Sequence, residues 1–202
     1  MAGYDRSERW HVLRGCEKRF TGSGSGEVSD GRPSVFLEAT CGRSRETLLS
    51  AMPLRNLSRP SQVTAWLQEW GDQLGDPAEM ILIGSAGILW HAAAIGRDDP
   101  LPENSMDVDP VTDSEAVAEL AYDAMIGSEF EKTHGWHVNL MPHFALRDLP
   151  EGWRSRCARA TYRNLIVEVP AVPDLLAPKL KRNEPRDRAH HEYAQMLGLI
   201  PS

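Results

Sequence analysis

The sequence predicts an α+β (mixed α/β) fold, a mixed sheet flanked by helices with further helices closing the C-terminal end. Two observations predict it. From residue 60 onward, short apolar runs that read as strands alternate with segments whose apolar residues recur at helical spacing. One apolar run, "EMILIGS" (79–85), also passes through Gly and Ser directly into a helical pattern, as a buried strand entering a helix does. The length of 202 residues suits one domain, or one domain with an appendage, and no internal repeat is visible.

The elements follow in chain order. Residues 1–59 mix charge without steady periodicity, and "TGSGSGEVSDGRPS" has Gly/Ser linker chemistry, with one short strand expected at "RPSVFLEAT" (32–40). They are expected to form a poorly ordered or loosely packed extension ahead of a domain over 60–202, with Met52 a candidate true start. In "PSQVTAWLQEWGDQL" (60–74), Val63, Trp66, Leu67, Trp70 and Leu74 keep helical spacing behind Pro60 and Ser61 as start signals. After the strand at 79–85, "AGILWHAAAIG" (86–96) reads as a helix stopped by glycine, and the prolines of "RDDPLPENS" (97–105) make a loop. "MDVDPV" (106–111) is a short strand that Pro110 is expected to close. "TDSEAVAELAYDAMIG" (112–127) is a helix capped by Thr112 or Asp113, and "GWHVNLMP" (135–142) alternates like a strand. "LPEGWRSRCARATY" (149–162) reads as a turn into mixed structure, "NLIVEVP" (164–170) as a strand. "VPDLLAPKLKR" (172–182) and "RDRAHHEYAQMLGLI" (186–200) read as two closing helices.

Charge narrows the function classes. The net charge of −7 argues against strong general DNA binding or attraction to an anionic membrane. Its distribution is uneven: residues 61–135 hold 15 acidic against 2 basic residues, whereas 151–190 hold 9 basic against 5 acidic. One half therefore suits cations and the other anions, unless both are ordinary solvated faces. Three scattered cysteines form no CxxC pair, which disfavours a disulfide framework or a cysteine zinc site and fits a reducing compartment. With no apolar run long enough to span a bilayer and a polar N-terminus, a cytoplasmic protein is expected.

Two stretches can carry chemistry together. A strand that enters a helix through Gly84 and Ser85 brings free backbone N–H groups, a hydroxyl and the positive end of a helix dipole to one point, which attracts phosphate. Asp107 and Asp109, at i and i+2 of a strand, project to the same face and can share one ligand. Paired hard oxygens suit Mg²⁺ (or Mn²⁺), whose remaining ligands are commonly nucleotide phosphates. Taken singly, each of these is an ordinary turn or a solvated carboxylate pair.

Read together, "LIGSAGILWHAA" followed by "SMDVD", with "VPDLLAPKLKRNEPRD" further on, resembles the nucleotidyltransferase superfamily of DNA polymerase β-like fold, in its small bacterial toxin-like and abortive-infection-like branch. The resemblance covers about residues 60–197. It implies a mixed sheet flanked by helices, an NTP substrate, and transfer of a nucleotidyl group onto an RNA (tRNA among others), protein or small-molecule hydroxyl. It further implies that Gly84 and Ser85 hold the triphosphate, that Asp107 and Asp109 hold Mg²⁺, and that Lys179 approaches the phosphates. Asp187 would assist catalysis or order that lysine, and a neighbouring antitoxin is an implied partner. This chain departs from the pattern in three places. The loop before the aspartate pair is expanded by "DDPLPE", Glu184 replaces an expected arginine between Arg182 and Arg186, and Asn139 stands where a third carboxylate is expected, with Glu168 as a substitute only under another strand order. A catalytically impaired, nucleotide-binding regulatory module is therefore the alternative.

Other candidates weigh less. His134, His137 and His143 invite a zinc reading, but in a strand the first two point to opposite faces and no Cys or Asp completes the set. His190–His191 is weaker still as a metal site, and His91 reads as a core histidine with a satisfied partner. Arg154, Arg156, Arg159 and Arg163, with Trp153 and Tyr162, could grip RNA, although a solvated basic face explains them as well. "GSGSGE" lacks the strand and the Lys–Ser/Thr of a phosphate loop, and in "IGSAG" the first glycine is misplaced by one residue for a hydrolase elbow.

Overall fold

The computed structural model describes residues 56–103 and 105–201. The expected linker and the strand at 32–40, with the rest of the extension up to residue 55, lie outside the described residues. Leu57 is fully buried in the core and its backbone bridges to Ser105, so the packed body takes in residues just ahead of Pro60.

Helix α1 (Pro60–Gln73) starts as its sequence predicts, with Pro60 at the first position. Gln62 Oε1 accepts the backbone N–H groups of Ser58 and Arg59 at 2.9 and 2.8 Å, which relieves donors left open ahead of the first turn. Its buried stripe is Val63, Trp66, Leu67 and Trp70. Trp66 tilts onto Trp70 at 4.6 Å between ring centroids and meets Trp136 edge-on at 6.1 Å. Truncating a tryptophan buried in such a stack costs about 3–5 kcal/mol, so this cluster is a main anchor of the helix layer.

Strand β1 (Ala78–Ile83) runs into α2 (Gly84–Ala94) with no loop between them, so the helix begins two residues earlier than the spacing predicts. Seven of the α2 residues are buried, Ser85 through Trp90 and Ala92. An apolar helix of that kind must be covered on several sides, and α2 packs on α1, on the sheet and on α5 (Val172–Arg182).

The sheet is mixed and five-stranded. It comprises β1, β2 (Asp107–Val111), β3 (His137–Val138), β4 (Ala158–Tyr162) and β5 (Leu165–Val169), in the order β3-β2-β1-β5-β4. β1 is parallel to β5 and antiparallel to β2, with Ile83 opposite Asp109. Met80, Leu82, Val108 and Val167 join the core beneath the helices, while Ile81 and Val111 face a second cluster with Leu146 and Trp153. This alternation puts Asp107 and Asp109 in phase with Val111, on the sheet face opposite Val108.

Several local expectations are corrected. Pro110 does not close β2; it lies within it opposite Leu82. The carbonyls of Met106, Val108 and Pro110 all accept from residues 137–141, so the N–H that proline lacks is missing only on the side of the two-residue strand β3. The helix expected at 112–127 is α3 (Glu115–Asp123), capped by Ser114, because the Thr112 hydroxyl is turned to the Glu79 carbonyl. A further helix, α4 (Glu129–His134), follows. The mixed segment 149–162 resolves into a 3₁₀ turn and β4, joined to β5 by a tight turn with Arg163 at φ +50°. Helix α6 (Pro185–Met196) closes the fold against α5. Among the described residues no helix is long and apolar enough to cross a membrane.

Candidate functional site

Where β1 gives way to α2, a cleft of about 290 Å³ opens between the end of β2 and the helices α5 and α6. Gly84 and Ser85 lie at its base. Asp107, Asp109 and Asn139 form one wall and Lys179, Arg182 and Arg186 the other, with Asp148 also on the rim. Two carboxylates of the acidic half thus share this space with three cations of the basic half. Gly84, Ser85, Asp107, Asp109 and Lys179 all line it; Asp187 is fully buried and contacts Lys179 and Arg182.

Gly84 is required by geometry. Its φ is +71°, a region that side chains disfavour, and a Cβ built there collides with the Asp109 carboxylate. The close approach brings the Asp109 side chain against the first turn of α2, where open N–H groups point.

On the acidic wall, the buried Ser105 hydroxyl donates to Asp107 Oδ1 at 2.9 Å and also contacts the Asp107 carbonyl. Asn139 Nδ2 donates to Asp109 Oδ1 at 3.1 Å. Burial and then the charge of Asp107 push the Asp109 carboxyl up to about 6, against the opposing pull of Asn139 and Lys179. Two carboxylates held this close together call for a counter-charge. Among the described residues no group of three His, Cys, Asp or Glu side chains is placed to hold a metal, so this is a two-carboxylate arrangement. Glu168 lies on β5 beside Arg159 and lines a different groove, so it does not substitute for Asn139.

On the basic wall, Lys179 is only 6% exposed and donates from Nζ to the Ser85 hydroxyl at 3.2 Å, with Asp187 Oδ1 at 3.8 Å. Burial lowers its pKa, while Asp187 opposes that shift. Arg182 forks onto Asp187, Nε to Oδ2 at 3.2 Å and Nη2 to Oδ1 at 3.0 Å. Burial of Asp187 works against its charge, yet the fork and Lys179 outweigh it and hold the carboxyl below its ordinary value. Asp187 occupies the first turn of α6 and orders the two cations; the N-cap position belongs to Glu184.

A histidine of α6 whose sequence context is weak for a metal ligand belongs to this network. His190 is completely buried, with Nδ1 3.5 Å from the Ser85 hydroxyl and Nε2 3.1 Å from the Glu103 carbonyl. A carbonyl can only accept, so Nε2 carries the hydrogen and Nδ1 is the acceptor. Burial and the nearby Lys179 charge drive its pKa down to about 4, which keeps the ring neutral. The signal for it is the buried stripe Asp187, His190, Tyr193 and Ala194 on α6, in which two polar groups share a face with two apolar ones.

The remaining candidates are dispersed. His134 stacks on Phe130, His137 pairs with Glu131 and His143 with Asp113. His91 has the partner expected of it, the Pro170 carbonyl at 2.9 Å, but is half-buried rather than in the core. The arginines of the basic run are committed within the chain: Arg154 over the Trp153 ring, Arg156 on Asp174, Arg159 on Glu79 and Arg163 on Asp72. Tyr162 accepts the Trp90 indole N–H at 2.9 Å. No protein-family model, curated protein or solved structure matches the chain, so the chemistry of the cleft is read from its own residues.

Proposed function

We propose that this chain is a nucleotidyltransferase that binds an NTP in the cleft and moves its nucleotidyl group onto a hydroxyl of an RNA (such as a tRNA), a protein or a small molecule. The observation that carries this reading is the confrontation of Asp107 and Asp109 with Lys179 and Arg182 across the first turn of α2. A polyphosphate is a ligand that needs both walls. Its oxygens meet Lys179 and the open N–H groups at Ser85, and its counter-ion meets the carboxylates.

The residues present fit a Mg²⁺ or Mn²⁺ ion. Burial, and after it the charge of Asp107, raises the Asp109 pKa, a cost that a bound cation would relieve, and both carboxylates are hard oxygen donors. The ion would supply charge neutralisation on the phosphates. The chain's residues do the rest: Gly84 admits the phosphate chain to the helix end, Lys179 offers a partly desolvated ammonium, and Asp187 with Arg182 keeps that ammonium oriented. In the transfer, the acceptor oxygen bonds to the α-phosphorus, the bond to the bridging oxygen breaks, pyrophosphate leaves with that electron pair, and the acceptor proton passes to water. A toxin acting with a cognate antitoxin is the biological setting that the resemblance suggests.

The test is incubation of the full chain with α-labelled NTPs, Mg²⁺ and cell extract. Transfer that is lost in Asp107→Ala/Asp109→Ala supports the reading, and unchanged labelling by that variant would sink it. Asn139 favours a second reading, a module that binds nucleotide without turnover. Calorimetric NTP binding with no transfer product would select it.

A further inference from the structure

We propose that His190 is a positioning residue for the phosphate-binding wall: by accepting the Ser85 hydroxyl at Nδ1 and donating from Nε2 to the Glu103 carbonyl, it fixes Ser85 as the acceptor that holds Lys179 toward the cleft. The inference rests on the cleft being the phosphate site. The chemistry follows from counting protons. Ser85 has one hydroxyl hydrogen. With that hydrogen directed to Nδ1, its lone pairs are left for the Lys179 ammonium at 3.2 Å. Lys179 is then held between two oxygens, Ser85 Oγ on the cleft side and Asp187 Oδ1 at 3.8 Å. Without the Nδ1 acceptor the Ser85 hydroxyl is free to rotate. Its hold on Lys179 weakens, and the ammonium relaxes toward Asp187, which Arg182 already neutralises.

The other end of His190 reaches the opposite wall. Glu103 lies two residues before Ser105, whose hydroxyl holds Asp107 at 2.9 Å. One buried ring therefore ties the loop that delivers the carboxylate pair to the serine that orients the lysine. Its complete burial fits this role, because nothing in solvent competes for either ring nitrogen.

The two bonds can be separated by isosteric amides. In Asn the acceptor oxygen can take the place of Nδ1 and keep the Ser85 bond; in Gln the amide nitrogen can take the place of Nε2 and keep only the Glu103 bond. The probe is inorganic tripolyphosphate with Mg²⁺, which carries the phosphate chain without a base, titrated into full-length wild type, His190→Asn, His190→Gln, Ser85→Ala and the Ser85→Ala/His190→Gln double variant, with thermal melts of each. The expected result is that His190→Gln loses about tenfold in affinity, one charge-assisted hydrogen bond's worth, while His190→Asn stays within about threefold. The double variant should be no weaker than Ser85→Ala, since His190 acts through that hydroxyl. In ¹⁵N-histidine spectra of the ligand-free protein, His190 should carry its hydrogen on Nε2. Full affinity in a folded His190→Gln, additive losses in the double variant, or a hydrogen on Nδ1 would overturn the inference alone. Wild type that fails to bind tripolyphosphate would overturn the phosphate reading of the cleft, and this inference with it.

Discussion

Asn139 donates its amide to Asp109 Oδ1 at 3.1 Å, joining the segment after β3 to the carboxylate pair across 30 residues of chain. A neutral donor thus faces the carboxylate pair at this position. Replacing it, Asn139→Asp, adds a hard oxygen and removes the hydrogen bond that favours the ionised form of Asp109. Mn²⁺ should bind about tenfold more tightly, and the cation-free protein should melt at a lower temperature. Calorimetry with unchanged affinity would show that residue 139 does not face the ion.

The pH dependence of cation binding follows from Asp109. Its carboxyl is pushed up to about 6, and only the ionised form is a ligand. Affinity for Mg²⁺ or Mn²⁺ should fall by up to about tenfold per pH unit below 6 and level off above about 7. A titration series from pH 5 to 8 that stays flat would contradict this.

The same shift governs stability in the opposite sense. The folded-state pKa lies above the unfolded value of 3.8, so the folded protein binds the extra proton. The associated stability is present below about pH 4, is lost as pH rises through 6, and then stays lost. Asp109→Asn should therefore stabilise the cation-free protein at pH 8 by about 2 kcal/mol, with little gain at pH 4. Paired thermal melts at the two pH values measure the difference.

Gly84→Ala forces a side chain into a left-handed backbone position and against the Asp109 carboxylate. The expected cost is about 1–3 kcal/mol of stability, together with loss of phosphate and cation binding. Wild-type melting and binding would mean that the strand-to-helix junction has a different conformation.

Lys179→Met tests whether the buried lysine serves binding or folding. Its stem packs among the α5 residues that cover α2, and Arg182 still neutralises Asp187 after the change. The fold should hold within about 1 kcal/mol, whereas affinity for the triphosphate chain should drop by about 2 kcal/mol. A large loss of stability with binding retained would assign the lysine to the core instead.

Much of the framework was legible because local rules suffice for it. Val63, Trp66, Leu67 and Trp70 announce α1 by spacing alone, and the apolar run to Ile83 announces a buried strand entering a helix. The i, i+2 spacing of Asp107 and Asp109 fixes their common face once β2 is a strand. The segment from Gly135 to Pro142 is less legible. It alternates like a strand yet pairs over only two residues, and its register depends on partners rather than on its own pattern. Ser114 displaced Thr112 as the α3 cap for the same reason, since the Thr112 hydroxyl found the Glu79 carbonyl 33 residues away.

By itself, then, the sequence determined an α+β chain with a strand–Gly–Ser–helix junction, an i, i+2 aspartate pair, and acidic and basic halves. Only the tertiary structure decided that the aspartate pair and the cations of α5 and α6 line one cleft, that Asn139 rather than Glu168 faces Asp109, and that His190 is a partner of Ser85. The physical reason is range. Helical and strand periodicity are set by neighbours a few residues apart. The contacts that join the site's separate elements, such as Asn139 with Asp109 and Ser85 with His190, span 30 and 105 positions and exist only once sheet order and helix packing bring them together.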